Sequence, residues 1–248
     1  MTILLQKFTS KIINIREEGS GNIVPGYRVF VRDDGVSLVF YPVPKNANSS
    51  FKSLLARHYG VESLLEFYDD EYSRKNVERY ARKPENKPWL SDFLPSKRRF
   101  HDLRSVRVVY RIGVLRDPID RFFSAYNNRV LWHEDLEFRG LSVGEVICEL
   151  ERGNFENKHF LPQTYFLGTS PSYYTHLAVM PDLTPALSGI QEFFGKDIAL
   201  PRLQVRHGES KALVESHENF KSRLMKVYAA DYEFIQRASS RSEESERA

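Results

Sequence analysis

The sequence has a single cysteine, Cys148, and no long hydrophobic run. One cysteine excludes an internal disulfide and any zinc site that needs several cysteines. No apolar stretch reaches the ~18 residues that a membrane span requires, and the first residues lack a signal-peptide pattern. We therefore expect a cytoplasmic protein without a transmembrane segment.

The sequence also lacks a large excess of charge of one sign, because its formal net charge is only +3. A charge this small does not indicate nucleic acid as a partner. The 248 residues are 41% hydrophobic and 28% charged, which suits one folded domain. We predict a single domain over residues 1–237 and a polar, disordered tail over residues 238–248 (ASSRSEESERA).

Strand-like and helical patterns alternate along the chain. The strand-like segments are 27–32, 36–43 and 106–115, and a short Asp-Asp-Gly turn makes the first two a candidate hairpin. Helical patterns cover about 50–59, 118–131, 143–150, 187–194 and 218–235. This order predicts an α/β fold with a central, mainly parallel β-sheet flanked by helices. In such folds ligands bind at the carboxyl ends of the strands.

The loop at residues 44–50 (PKNANSS) lies at such a strand end and contains no glycine. It therefore matches neither of the two glycine-rich phosphate-binding motifs, G-x-x-x-x-G-K-[ST] and G-x-G-x-x-G. Its small residues would still let the backbone approach an anion, the following helix start would offer N–H groups, and Lys45 would add a positive charge. We predict a site for a multi-oxygen anion here. The alternative is a capped helix beside an incidental surface lysine.

A second loop, residues 116–126 (RDPIDRFFSAY), follows the strongest predicted strand. Helical spacing would align Arg121, Ser124 and Asn128 on one polar face, close to the strand-end Arg116. This combination predicts a second phosphate site. The alternative is an ordinary amphipathic helix that begins with an Arg–Asp ion pair. The core-facing side would consist of Phe122, Ala125, Tyr126 and Val130.

Together the two loops carry a resemblance. P-K-x-x-x-[ST]-S before a helix, then R-D-P-x-x-R-x-x-S-x-Y about seventy residues later, resembles the sulfotransferases that use 3′-phosphoadenosine-5′-phosphosulfate (PAPS). The segments SAYNNRV (124–130) and NKHFLPQTYFLG (157–168) are similar to the Golgi carbohydrate sulfotransferases and their bacterial relatives. VYAADYEFI (227–235) resembles the helix that closes those domains. The similarity covers roughly residues 36–235, although Asn-Ala-Asn in the first loop departs from cytosolic relatives.

The resemblance implies a fold related to P-loop nucleotide kinases, PAPS as the donor and 3′,5′-adenosine bisphosphate as the product. Arg116 and Ser124 would hold the 3′-phosphate, and Lys45 would also be catalytic, stabilising charge on the bridging oxygen. The acceptor would be a hydroxyl of a carbohydrate or glycoconjugate, and no metal is expected. The 5′-phosphosulfate would be surrounded by Lys45, Asn46, Ala47, Asn48, Ser49 and Ser50.

A general base is also required, and the sequence offers several candidates. His159 lies in the family-like H-F-L-P-Q motif. His101 lies just before the strongest strand, about where several carbohydrate sulfotransferases place a catalytic histidine. A carboxylate such as Glu62 or Glu66 is a third choice. The sequence does not decide among them.

Basic residues between the two loops bear on the acceptor. They would steer an anionic sugar chain to the site, or form a solvated basic face. Two other functional classes stay open: a nucleotide-dependent kinase, which would need ATP and Mg²⁺, and a non-catalytic module that binds PAPS or another polyanion. The basic residues in question are Lys97, Arg98, Arg99, Arg104 and Arg129.

Overall fold

The computed structural model describes residues 9–13, 27–31, 36–51, 54, 107–200 and 220–247. Five strands form one sheet in sequence order: β1 (Thr9–Ile13), β2 (Tyr27–Val31), β3 (Val36–Tyr41), β4 (Arg107–Leu115) and β5 (His176–Val179). The β1–β2 and β2–β3 pairs are antiparallel, which confirms the predicted hairpin. The β3–β4 and β4–β5 pairs are parallel, so β4 is the central strand of the parallel part.

Most helices lie in the intervals that the sequence pattern predicts, with different ends, whereas the short helix Gln163–Leu167 was not predicted. Two 3₁₀ turns, Leu136–Phe138 and Pro171–Tyr173, connect them. The helices are α1 (residues 48–51 and 54), α2 (Pro118–Ala125), α3 (Val143–Glu151), α4 (Gln163–Leu167), α5 (Thr184–Phe194), α6 (residues 220–227) and α7 (Ala229–Arg247). None of the helices described here is long and apolar enough to cross a membrane.

Hydrophobic side chains cover both faces of β3 and β4, because successive residues of a strand point to opposite sides. On one face Val39 and Leu115 pack with residues of α4 and α7, and on the other Leu38 and Ile112 pack with α1 and α5. Gly113 allows the close packing at β5, since a Cβ there would lie 2.9 Å from Leu177 Cδ1. The predicted α/β fold, with a parallel sheet between helices, is confirmed.

The helix predicted over residues 118–131 changes type at its middle. The α-helix ends at Ala125, and Tyr126–Trp132 forms a π-helix. Its i→i+5 pattern ends with the His133 N–H donating to the Asn128 carbonyl (3.1 Å). The expected α-helical alignment of Asn128 with Arg121 and Ser124 is therefore wrong.

The predicted disordered tail is also corrected. Residues 238–247 continue α7 to Arg247. Ala238 is buried, and Arg241 Nη1 donates to the carbonyls of Pro171 and Tyr174 (both 3.1 Å). Since Phe234, Ala238 and Arg241 follow one another at three- and four-residue steps, one side of α7 contacts the domain as far as Arg241.

Candidate active site

The loop after β3 has a backbone conformation that normally requires glycine. Lys45 and Ala47 have positive φ angles of 73° and 53°, a region that non-glycine residues rarely adopt. The Phe51 N–H donates to the Ala47 carbonyl (3.1 Å) and closes the first turn of α1. The three N–H groups of Asn48, Ser49 and Ser50 therefore precede the first intrahelical donor, as at other anion-binding helix starts. The loop therefore adopts, without glycine, a backbone conformation that glycine usually provides.

Asn46 fastens this loop to the end of β4. Its side chain is 1% exposed, and Nδ2 donates to the Val114 carbonyl (2.7 Å) and to Gln163 Oε1 (2.6 Å). The Asn46 backbone N–H donates to the Val43 carbonyl (3.2 Å). These bonds occupy the donors of Asn46, so in this structure it positions the predicted phosphosulfate loop and has no N–H directed at a ligand.

Gln163 connects both predicted anion loops, and sequence reasoning gave it no role. Oε1 accepts from Asn46 Nδ2 and from the Arg116 backbone N–H (3.0 Å), and Nε2 donates to the Arg116 carbonyl (2.8 Å). Gln163 is fully buried, and the Asp231 carboxylate on α7 accepts from the N–H groups of Gln163 and Thr164. The sequence did contain a sign of this role, because Gln163 is the last residue of the family-like H-F-L-P-Q motif.

Arg116 and the first loop are neighbours. Arg116 Nη1 donates to the Lys45 carbonyl (3.2 Å) across the ends of β3 and β4. Asp117 caps the helix that follows, since its Oδ1 accepts from the N–H groups of Ile119 and Asp120 (both 2.9 Å). Ser124 lies on the resulting helix α2 and is half-buried. The contact of Arg116 and Ser124 with a 3′-phosphate stays a prediction.

Arg121 does not belong to the polar face that helical spacing predicts, because its side chain is fully buried. Its Nε donates to the Pro44 carbonyl (3.0 Å) and Nη1 to the Leu161 carbonyl (2.8 Å). Burial lowers the pKa of Arg121, while Tyr228 and Asp231 act to raise it. One guanidinium therefore joins the residue before Lys45 to the segment that carries His159.

His159 is half-buried. Its Nδ1 lies 2.9 Å from Asn157 Oδ1. Burial is the main cause that lowers the pKa of His159 to about 2, followed by the cations Arg129, Lys158, Lys45 and Arg121. The imidazole is therefore neutral at physiological pH and lies within the electrostatic reach of Lys45.

Several sequence-predicted residues lie outside the described part of the chain: His101, Glu62, Glu66, Lys97, Arg98, Arg99 and Arg104. Arg129 is described, and its guanidinium pairs with Asp135 through Nε–Oδ2 (2.5 Å) and Nη2–Oδ1 (2.6 Å). Arg129 is thus committed within the protein and is not a free cation of a basic face. Within the described ranges, no group of three or more His, Cys, Asp or Glu side chains is arranged to hold a metal ion.

Comparison with known families identifies the class of protein. Residues 28–236, from β2 into α7, match the model of the Sulfotransferase family. The chain belongs to the sulfotransferase family. No curated protein and no solved structure matches it. The matched range of this sulfotransferase includes both strand-end loops and the H-F-L-P-Q segment, which agrees with the resemblance and establishes sulfuryl transfer as its general activity.

Proposed function

We propose that this sulfotransferase moves a sulfuryl group from PAPS to a hydroxyl of a carbohydrate or glycoconjugate. The observation that carries the proposal is the joining of two cationic strand-end loops, in which Arg116 Nη1 contacts the Lys45 carbonyl and Gln163 holds both loops. A donor with phosphates at two positions needs two anion sites held at a fixed separation. The buried side-chain amide of Gln163 holds the two loops at such a fixed separation.

The residues present suit the two ends of such a donor. The N–H groups at the start of α1, the hydroxyls of Ser49 and Ser50 and the Lys45 ammonium are the donors that a 5′-phosphosulfate requires. Arg116 and the hydroxyl of Ser124 would bind the 3′-phosphate. Asn46 and Ala47 would shape the loop around the phosphosulfate.

Sulfuryl transfer forms a bond between the acceptor oxygen and sulfur and breaks the bond from sulfur to the bridging oxygen. Lys45 would stabilise the negative charge that develops on this bridging oxygen, as a fixed cation does in phosphoryl transfer. The proton of the acceptor hydroxyl would pass to a base. We take His159 as the candidate base, because it lies in the H-F-L-P-Q segment and within the electrostatic reach of Lys45. His101 and a carboxylate at Glu62 or Glu66 are the alternatives.

The acceptor class rests on the resemblance of residues 124–130 and 157–168 to carbohydrate sulfotransferases. An anionic sugar chain would suit the cations around His159, which include Lys158 and Lys45. The cytoplasmic location expected from the sequence stays a prediction.

A transfer assay tests this function. The full chain is incubated with PAPS that carries a labelled sulfur and with a panel of neutral and anionic sugars, and the label on each sugar is measured. We expect the label on at least one sugar, with Mg²⁺ removed by a chelator. Binding of the donor without any labelled sugar would support the non-catalytic module instead, and transfer of labelled phosphate from ATP–Mg²⁺ would support the kinase.

A further inference from the structure

We propose that Asn157, held by Asp135 and Arg129, is a positioning residue that fixes His159 in the tautomer with its proton on Nδ1 and its lone pair on Nε2. The inference rests on the proposed function, in which His159 accepts the proton of the acceptor hydroxyl. It adds which nitrogen accepts that proton and which residues determine this.

The orientation of the Asn157 amide follows from its other partners. Nδ2 lies 2.7 Å from Asp135 Oδ2, which is a carboxylate oxygen and only accepts. Oδ1 accepts the backbone N–H of His159 (3.1 Å), which only donates. A flipped amide would place its oxygen against the Asp135 carboxylate, where two acceptors would meet. It would also place its NH₂ group against the His159 backbone N–H, where two donors would meet. The oxygen of Asn157 therefore faces His159.

The tautomer of His159 follows from this orientation. Nδ1 lies 2.9 Å from Asn157 Oδ1, and an amide oxygen bonds only to a protonated ring nitrogen. A neutral imidazole carries one N–H, so Nε2 has the free lone pair. An Nε2 lone pair is what a general base in this position needs. The opposite tautomer would have no basic nitrogen to offer on that side.

Asn157 is itself held firmly. It is 5% exposed, and its partner Asp135 receives a bidentate pair from Arg129. The Asp135 backbone N–H also donates to the Arg129 carbonyl (2.9 Å). Arg129 lies in the π-helix Tyr126–Trp132, a type of element frequent at functional sites. The chain Arg129–Asp135–Asn157–His159 thus connects the helix of the second anion loop to the candidate base.

The test reads the tautomer directly, by two-bond ¹H–¹⁵N spectra of the full chain labelled with ¹⁵N-histidine. The sequence has seven histidines, so the signal is assigned by its loss in His159→Gln. We expect the wild type at neutral pH to carry the proton on Nδ1. Asn157→Ala should give a mixture that includes the Nε2–H form. Asn154→Ala is the matched control. It removes a nearby side-chain amide that donates to Glu149 of α3, and it should leave the spectrum unchanged.

Kinetics with PAPS and a sugar acceptor provide the second readout. We expect Asn157→Ala to lower kcat by at least about tenfold, a part of what a general base contributes, with little change in the KM of the acceptor. An Nε2–H tautomer in the wild type would overturn the proposal. So would a tautomer or a kcat that Asn157→Ala leaves unchanged. If the wild type transfers no sulfuryl group, the proposed function fails, while the spectra still decide whether Asn157 sets the tautomer.

Discussion

The side-chain amide of Asn46 donates a 2.6 Å hydrogen bond to the side-chain oxygen of Gln163, which lies 117 residues further along the chain. The same Gln163 bonds both the N–H and the carbonyl of Arg116. One buried side chain thereby links the loop after β3 to the loop after β4. The positions of the two loops therefore depend on each other through this residue.

Replacing Gln163 by leucine should therefore affect stability and binding together. The change would leave Asn46 Nδ2 with one partner fewer and the Arg116 backbone groups without this partner. We expect the free energy of unfolding in urea to fall by about 2–4 kcal/mol, because each buried polar group left unpaired costs about 1–3 kcal/mol. Affinity for adenosine bisphosphate should fall as well. Gln236→Leu, at an exposed position on α7, is the matched control. Equal stability of the two variants would contradict the role of Gln163.

Lys45→Ala should separate chemistry from binding. If Lys45 stabilises charge that develops during transfer, its loss should lower kcat by about 10²–10³-fold, the usual cost of removing such a group. The affinity for 3′,5′-adenosine bisphosphate, measured by calorimetry, should fall much less. Lys196→Ala, at an exposed lysine after α5, should change neither. Comparable losses of kcat and affinity in Lys45→Ala would remove its special catalytic role.

Ala47 tests the glycine-free backbone of the loop. Its φ of 53° is strained for a side chain with a Cβ and more so for a β-branched one. We expect Ala47→Val to lower the free energy of unfolding by about 1–3 kcal/mol. Ala47→Gly should be neutral or stabilising by up to about 1 kcal/mol and should retain bisphosphate binding. If valine is tolerated as well as glycine, the backbone conformation assigned to this loop is wrong.

His159 should make the fold sensitive to acid. Burial, reinforced by Arg129, Lys158 and Lys45, lowers the pKa of His159 to about 2. Below the ordinary histidine pKa of about 6.5, the unfolded chain binds a proton that the folded chain does not, so acid favours unfolding. The free energy of unfolding should thus fall as the pH decreases below about 6.5. In His159→Gln this part of the fall should be missing. The same pH dependence in both proteins would contradict the lowered pKa.

Sequence patterns of neighbouring residues were sufficient to predict those strands and helices whose formation depends mainly on neighbouring residues. The Asp-Asp-Gly turn between two strand-like segments predicted the β2–β3 hairpin, and the strand predicted over residues 106–115 corresponds to β4. The helix predicted from residue 118 corresponds to α2, which begins at Pro118. Because parallel strands end at the same edge of a sheet, these elements also predicted that the two anion loops would meet.

What the sequence did not predict depends on distant contacts. Arg121 looks like a surface residue by composition and spacing, yet carbonyls from Pro44 and Leu161 hold it inside the protein. Residues 238–247 look disordered because they are polar, but Arg241 anchors them to Pro171 and Tyr174. Gln163 gains its importance from partners at positions 46, 116 and 231. No local pattern encodes such partners.

Calorimetric titration with 3′,5′-adenosine bisphosphate, with ATP–Mg²⁺ as the competing ligand, tests most directly the proposed two-phosphate clamp, in which the Lys45 loop binds one phosphate and Arg116 with Ser124 binds the other. The wild type should bind the bisphosphate without metal and should bind it more tightly than ATP–Mg²⁺. Arg116→Ala should weaken this binding by about ten- to a hundredfold, since a hydrogen bond to a charged group contributes about 1.5–3 kcal/mol. Arg152→Ala, at an exposed arginine after α3, should bind as the wild type does. Binding of ATP–Mg²⁺ alone, or an unchanged affinity in Arg116→Ala, would contradict the clamp.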